Sequence, residues 1–195
     1  MKKFAMLLAV GFCASACVQA HSDAPATEVR ATERPFVSGG KIDMQLDGGN
    51  YEIRPADDNH IRVTLSGNTG NAKAEVTVSD THADLKVKDT PHSNFQATIE
   101  VPKTADLVVR LSAGNLTMAA ITGNKDVESY AGNVDIAVGE PDDYSSVDAS
   151  AKAGDINARA FGGSKSGLFP HFTWSGHGKY TLRAQLGAGN LELRK

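Results

Sequence analysis

Residues 107–118 read Leu-Val-Val-Arg-Leu-Ser-Ala-Gly-Asn-Leu-Thr-Met, and this stretch decides the fold class. Apolar side chains alternate with polar ones on both sides of its Ala113-Gly114-Asn115 centre, which is the pattern of β-strands with one buried face. Glycine reaches positive φ without a Cβ clash, and asparagine tolerates that region better than most residues. The stretch therefore predicts two strand segments separated by a turn or a sharp bend.

The same unit recurs along the rest of the chain. Successive copies are 18–23 residues apart, except for a last step of 35 residues that contains an insertion. The central pairs are Gly49-Asn50, Gly70-Asn71, Gly114-Asn115, Gly132-Asn133, Gly154-Asp155 and Gly189-Asn190, with Ser93-Asn94 as a weaker copy. Beyond the N-terminal apolar run we find no segment with a convincing helical period. These observations predict an all-β domain in which the Gly-Asn and Gly-Asp pairs are structural turns.

Two all-β architectures fit this pattern. In a β-solenoid each repeat is one coil, and the coils stack about 4.8 Å apart with Gly-Asn at a corner. In an antiparallel β meander or sandwich, Gly-Asn closes a two-residue hairpin in which Ala113 faces Leu116. The near-constant step favours the solenoid, since stacked coils must match in length whereas hairpins need not.

The N-terminus has the layout of a secretory signal peptide. Met1-Lys2-Lys3 precedes an apolar run over residues 4–12, which is shorter than the roughly 20 residues that a membrane-spanning helix needs. Residues 14–17, Ala-Ser-Ala-Cys, resemble a lipobox and predict lipidation of Cys17 after removal of residues 1–16. Residues 18–20 instead fit ordinary cleavage, with residues 1–20 removed. Both routes predict export, to the periplasm or as a lipoprotein of the outer membrane or cell surface.

Composition divides the remainder of the chain. Residues 17–37 are polar and contain two prolines, which predicts a flexible tether. Residues 38–195 carry the repeats and predict one β-solenoid domain with an aromatic insertion at residues 161–179. Both cysteines lie at positions 13 and 17, so we expect no disulfide in this domain. The formal net charge of −3 and the lack of a basic cluster argue against binding of nucleic acid.

The sequence lacks a recognisable catalytic or metal-binding motif. The six histidines show no metal-ligand spacing, although His171 and His177 share the insertion. Calcium at residues 142–143 or 154–155 is disfavoured, because the repeats lack the Gly-Gly-x-Gly-x-Asp period and mostly carry neutral asparagine. Residues 163–167 place lysine where a nucleophile elbow needs serine. We therefore predict a protein that is not an enzyme and that has no metal or cofactor.

A polysaccharide-acting β-helix enzyme is the alternative. Such an enzyme needs carboxylates and a basic residue gathered in one groove. The candidates for this role are Asp135, Asp148, Lys152 and Asp155. A solvated charged face explains these four residues more simply.

The insertion at residues 161–179 differs from the repeats in its aromatic content and includes Trp174, the single tryptophan. One interpretation is a cap that folds over the core. The other is an exposed surface through which Phe169, Phe172 and Trp174 contact a partner. The sequence favours the cap, because clustered aromatic residues between glycines suit a loop that folds back on itself.

The repeats also resemble a bacterial putative-adhesin family, a domain of unknown function found in exported proteins. The resemblance covers roughly residues 40–195 and rests on the Ala-Gly-Asn/Asp repeats and on the C-terminal segments. These segments are Gly-Leu-Phe at 167–169, Phe-Thr-Trp at 172–174, Gly-His-Gly-Lys-Tyr at 176–180 and Leu-Gly-Ala-Gly-Asn-Leu at 186–191. The resemblance implies a right-handed β-helix-like solenoid and a role at the surface or envelope, and it transfers no catalytic residues.

These features predict an exported cell-envelope protein that binds or scaffolds. The expected partner is a protein or glycan of the envelope, and contact with the membrane is expected only through a lipid anchor. A self-assembling structural module is a further alternative, because the ends of a solenoid expose strand edges that can stack.

Overall fold

The computed structural model describes residues 30–195, which form strands and two short 3₁₀ helices. The strands are β1 (Arg30–Pro35), β2 (Lys41–Leu46), β3 (Gly49–Ala56), β4 (His60–Gly67), β5 (Lys73–Ser79), β6 (His82–Lys88), β7 (Phe95–Pro102), β8 (Asp106–Leu111), β9 (Gly114–Met118), β10 (Lys125–Ala137), β11 (Tyr144–Ala158), β12 (Gly163–Leu168), β13 (His171–Ser175) and β14 (Tyr180–Arg194). The 3₁₀ helices are Pro141–Asp143 and Arg159–Phe161. Within residues 30–195 no helix has the length and hydropathy needed to cross a membrane. The prediction of an all-β fold is confirmed.

Alternating burial explains why these segments are strands. In β8 the side chains of Leu107, Val109 and Leu111 are buried, whereas the residues between them are partly exposed. In β10 the alternation changes phase at its Gly-Asn pair, so that Val127 before it and Val134 after it both face inward. The strand therefore bends there, and both of its arms contribute to one hydrophobic core.

Each repeat unit has this bent form, with a first arm before the bend and a second arm after it. Strands β10, β11 and β14 run through the bend, whereas β2–β3, β6–β7 and β8–β9 are interrupted there. The first arms pair in parallel in the order β6, β2, β8, β10, β14 and β11. The second arms pair in parallel in the order β7, β3, β9, β10, β14 and β11. Six units thus stack as parallel layers.

The stack ends in two layers that run in the opposite direction. At one end β4 pairs antiparallel with β7, and β5 pairs antiparallel with β6. At the other end β12 and β13 pair antiparallel with the two arms of β11. Strand β1 adds to β4 and also contacts β5, so the mixed sheet curls into a nearly closed, barrel-like form.

The stacking corrects two sequence-based expectations about architecture. The Gly-Asn pairs do not close hairpins, because β8 and β9 pair with β10 rather than with each other. The order of the layers also departs from that of a solenoid whose coils follow the chain. Strand β14 lies between β10 and β11, and β2–β3 lies between β6–β7 and β8–β9. The chain therefore folds back at both ends of the stack.

The tether prediction is also corrected in part. Residues 30–35, which composition assigned to the flexible segment 17–37, form strand β1 and pair with β4 over its whole length. Most side chains of β1 are exposed and polar, so the composition of this strand resembles that of a tether. The predicted signal peptide, Cys17 and the first part of the tether lie outside the described residues.

One charged side chain lies inside the core. Lys125 is 2 % exposed, and its Nζ donates hydrogen bonds to the carbonyl oxygens of Ile121 (2.6 Å) and Gly123 (3.2 Å) and to the Tyr144 hydroxyl (2.8 Å). Burial lowers the pKa of Lys125 to about 8. The three acceptors match the three ammonium hydrogens, so this lysine joins β10 to the loop before it and to β11.

Candidate functional site

The bends of all the layers lie along one edge of the molecule, which we name the folded edge. It comprises residues 47–50, 112–115, 130–133, 187–190 and 152–155, with 67–72, 89–94 and 167–170 at its ends. Five of the predicted turns stand in register here: Gly49, Gly114, Gly132, Gly189 and Gly154. Gly70-Asn71 lies in the turn of the reversed β4–β5 layer, outside that register.

Close backbone packing accounts for the glycines. Gly132 has a φ of 126°, and a Cβ at this position would overlap the carbonyl oxygen of Gly114 in the next layer. Any residue other than glycine at position 132 would therefore be disfavoured both by this φ angle and by the overlap with Gly114. The sequence repeats glycine at the bend because neighbouring layers approach each other there through their backbones.

The asparagines that follow these glycines form a row of hydrogen-bonded side chains. The Nδ2 atom of Asn115 donates to Oδ1 of Asn50 (2.8 Å), Asn133 donates to Asn115 (3.0 Å), and Asn190 donates to Asn133 (3.0 Å). Asp155 occupies the next position in register. The row is exposed, so one flank of the folded edge presents a line of amides.

Three large apolar side chains project from the folded edge. Tyr130 is 77 % exposed, Leu168 is 78 % exposed and Phe169 is 76 % exposed. Tyr130 and Leu168 belong to layers that are three strand spacings apart, or roughly 14 Å. The residues in register with Leu168 across these layers are small: Ala153, Ala188 and Ala131. In the adjacent row, Gly187 and the exposed Lys152 lie between Tyr130 and Phe169.

Phe169 is held in an unusual conformation. Its φ of 54° lies in the left-handed region, which bulky side chains rarely adopt. The backbone N–H of Phe169 donates to the carbonyl oxygen of Lys152 (2.9 Å), which fixes the turn against β11. Conformations of this kind cost on the order of 1–3 kcal/mol and cluster at functional sites. The turn therefore presents a hydrophobic side chain to solvent at some cost in stability.

The other end of the folded edge contains an open groove. Its volume is about 510 Å³, and it is lined by residues 47–50, 90–95 and 112–114. Hydrogen bonds join its walls: the Asp89 N–H donates to Oδ2 of Asp47 (3.0 Å), and the Thr90 hydroxyl donates to the carbonyl oxygen of Gly48 (2.7 Å). Its lining mixes polar side chains such as Asp47 and Asn94 with the apolar Pro91 and Phe95.

A buried tyrosine lies next to this groove. Tyr51 packs edge-on against Phe95, with ring centroids 6.0 Å apart. Its hydroxyl is buried and has no hydrogen-bond partner among the described residues. Burial, and then the charge of Asp47, raises the pKa of the Tyr51 hydroxyl far above its ordinary value, so this tyrosine stays neutral.

The structure separates the three aromatic residues predicted to contact a partner. Phe169 is exposed on the folded edge. Phe172 is buried, and Trp174 is half-buried with its ring 5.0 Å from that of Phe161. Phe172 and Trp174 therefore fill the end of the core beneath β12 and β13. Of the three, only Phe169 is available for contact.

The candidates for other chemistry do not converge. His171 and Asp148 pair across β11 and β13, with Nε2 and Oδ1 3.1 Å apart. Asp135 and Arg194 lie on the second arms of β10 and β14, where Asp135 accepts a hydrogen bond from Arg194 (2.7 Å). Lys152 and Asp155 flank the bend of β11. These four predicted groove residues are thus spread over both arms and the folded edge.

Tyr130 and the groove around Asp47 were not predicted from the sequence. Tyr130 precedes an Ala-Gly-Asn bend at a position where the neighbouring layers carry Ser112, Gly187 and Lys152. An aromatic residue at this outward position was therefore a detectable departure from the repeat. The groove was not detectable in this way, because it joins residues from three separate layers.

Comparison with solved structures finds similar bacterial proteins. A protein described as a "putative cell adhesion protein" from Clostridium sporogenes matches with a TM-score of 0.52 and 14% identity, over 86% of this chain and 99% of that one. A "putative adhesin" from Bacteroides fragilis matches with a TM-score of 0.33 and 11% identity, over 87% and 98% of the two chains. A "putative lipid binding protein" from Parabacteroides distasonis matches with a TM-score of 0.31 and 11% identity, over 85% and 73%.

No family model and no curated protein matches the sequence. The Clostridium sporogenes structure shows a shared fold over 86% of this chain. At 14% identity the match carries no information about individual functional residues.

Proposed function

We propose that this chain is an exported, non-catalytic binding protein of the bacterial cell envelope, which contacts its partner through the folded edge. The observation that carries the proposal is the placement of exposed apolar residues. The described residues expose four large apolar side chains, and three of them, Tyr130, Leu168 and Phe169, lie on this edge. Clustered exposed apolar groups mark interaction sites, and aromatic residues dominate the energetics of such sites.

The outer faces of the two arms support the same assignment by contrast. They carry ion pairs such as Arg110 with Asp126 (3.0 Å) and Arg54 with Glu100 (3.1 Å), which are typical of solvated surfaces. The folded edge combines apolar groups, amides and backbone close to the surface on a rigid stack. Such an edge suits a protein or glycan surface better than a small molecule, which needs an enclosed pocket.

The fold and the sequence resemblance together support the proposal of an adhesin-like role. The Clostridium sporogenes protein with this fold is described as a "putative cell adhesion protein", and the repeats of this chain resemble a putative-adhesin family. Fold similarity is an association rather than a mechanism. The exposed edge adds the physical reason, because adhesion requires a surface that is solvent-accessible and has affinity for another surface.

The test places a photo-crosslinking amino acid at single positions in cells that produce the protein. We expect cross-links to envelope components from position 169 and from position 130. Val37 is the matched control, because it is an exposed apolar residue (45 %) outside the folded edge. Cross-linking that is equal at positions 37, 130 and 169 would contradict the proposal.

Anchoring is the second part of the proposal. We infer that Cys17 is lipidated and holds the domain at the envelope through residues 18–29. Changing Cys17 to alanine should move the protein from the membrane fraction to the soluble fraction. A wild-type protein that is soluble and begins at residue 21 would show ordinary secretion instead.

Self-assembly through strand edges is less well supported. Strand β12 is an edge strand of the terminal layer, and it is polar and exposed, with Lys165 near its middle and glycines at residues 163 and 167. Charged and glycine-containing edge strands discourage pairing with another chain.

A further inference from the structure

Two carboxylates face each other across neighbouring strands, away from the folded edge. Strands β2 and β6 are parallel, and their register places Asp43 opposite Asp84 and Lys41 opposite His82. All four residues have the same outward orientation, since they alternate with buried residues along each strand. Like charges directly opposite each other destabilise a sheet, so a positive group beside this pair is favourable.

His82 lies between the two carboxylates. Its Nε2 atom is 3.4 Å from Oδ2 of Asp43 and 3.5 Å from Oδ2 of Asp84, and the three donor atoms all lie within 4.8 Å of one another. Tetrahedral zinc with bonds of about 2.0–2.2 Å has ligand atoms about 3.3–3.6 Å apart. Both distances from His82 match the edge of this tetrahedron.

We propose that Asp43, His82 and Asp84 form a binding site for a divalent transition metal, and zinc is the ion that suits it best. One imidazole nitrogen and two carboxylate oxygens form a ligand set that zinc accepts, and a fourth position faces solvent. The site is thus open, and water or a donor group from a partner completes it. The metal would add a positive charge between the opposed carboxylates, where Lys41 contacts Asp43.

Lys41 is the competing cation. Its Nζ lies 3.2 Å from Oδ2 of Asp43, and its side chain is about half exposed. A lysine on a flexible four-carbon stem can withdraw into water when a metal binds. The flanking positions in the same row, Val108 on β8 and Thr77 on β5, carry no charge. The Asp84 carboxylate lies beside the His82 imidazole, and Lys41 contacts the cluster on its Asp43 side.

Sequence spacing could not reveal this site. His82 and Asp84 lie two residues apart on one strand, but Asp43 comes from another strand that the parallel register brings alongside. The motif His-x-Asp alone is common and has no specificity for a metal.

The experiment is a calorimetric titration of the full chain with zinc chloride in a buffer that does not chelate metals. We expect one zinc ion per chain, and at least about tenfold weaker binding in His82→Gln and in Asp84→Asn. Lys41→Ala should bind zinc more tightly than the wild type, because it removes the competing charge. The melting temperature of the wild type should rise with zinc, and this rise should be lost in Asp84→Asn.

The matched control is His171→Gln, which removes a histidine that pairs with only one carboxylate, Asp148. This variant should bind zinc like the wild type. Undetectable binding in the wild type, or binding that His82→Gln and Asp84→Asn leave unchanged, overturns the proposal. Circular dichroism of each variant without zinc confirms that it is folded, so that a lost signal reports on the site.

Discussion

At the scale of single residues, the row of asparagine amides stops at an acidic side chain. Each amide from Asn115 to Asn190 donates to the oxygen of the preceding one, but Asp155, next in register, has no amide hydrogen to give to Asn190. Changing Asp155 to asparagine would extend the row by one hydrogen bond. We expect stabilisation of about 0.5–1.5 kcal/mol, measured as a higher midpoint of urea unfolding.

The control for this change is Asn133→Ala, which removes an amide from the middle of the row and should lower the midpoint. If Asp155→Asn is no more stable than the wild type and Asn133→Ala is no less stable, the side-chain row contributes nothing to stability.

Lys125 makes stability depend on pH in a defined direction. Its pKa is about 8 in the folded protein and about 10.5 for a free lysine, so between these values the unfolded chain binds more protons. Stability should therefore rise with pH from about 8 to about 10.5, and below pH 8 the contribution should be constant. The rise from this group is at most about 3 kcal/mol.

Comparison with Lys125→Met isolates this contribution from other titrating groups. The free energy of unfolding is measured for both proteins between pH 7 and pH 10.5. We expect the wild type to gain on the variant as pH increases. A constant difference between the two proteins would mean that the lysine keeps its ordinary pKa in the core.

At the scale of structural elements, the bends depend on glycine for two separate reasons, and one pair of variants distinguishes them. Gly132→Ala introduces both an unfavourable φ and an overlap with Gly114. Gly167→Ala introduces an unfavourable φ of 108° but no contact, because no atom lies within 4 Å of the added Cβ. We expect Gly132→Ala to lower the free energy of unfolding by several kcal/mol, and more than Gly167→Ala does.

Equal losses in the two variants would show that backbone conformation alone makes glycine necessary, and that the layers have room to separate. The measurement is chemical unfolding of both variants and the wild type under the same conditions.

The strands and bends were predictable, because each is encoded locally. The alternation of apolar and polar residues over 107–118 predicted the two arms of one unit, and the Gly-Asn pair predicted its bend. The neighbours of each layer were not predictable, because four units carry the same Ala-Gly-Asn/Asp sequence and any order of stacking satisfies it. The reversed layers formed by β4–β5 and β12–β13 depend on tertiary pairing for the same reason.

The candidate site was predictable only in part, for a related reason. Phe169 was identified because the insertion is rich in aromatic residues. Tyr130 lies in an ordinary repeat, and its proximity to Leu168 arises only because β14 and β11 stack between them. A surface formed by several layers cannot be located until their order is known.

At the scale of the whole molecule, the order of the layers determines which residues are neighbours on the folded edge. A solenoid that follows the chain would place residue 133 beside residue 155. The structure places residue 133 beside residue 190, and residue 155 one layer further away. Adjacent layers lie about 4.8 Å apart, and alternate layers lie roughly 10 Å apart.

Disulfide formation between paired cysteines tests this order directly, in a protein whose Cys13 and Cys17 are replaced by serine. A disulfide requires Cα atoms within about 4.4–6.8 Å of each other. We expect Asn133→Cys with Asn190→Cys to form a disulfide on mild oxidation, whereas Asn133→Cys with Asp155→Cys should stay reduced. A disulfide between residues 133 and 155, and none between residues 133 and 190, would contradict the stacking and the folded edge that it builds.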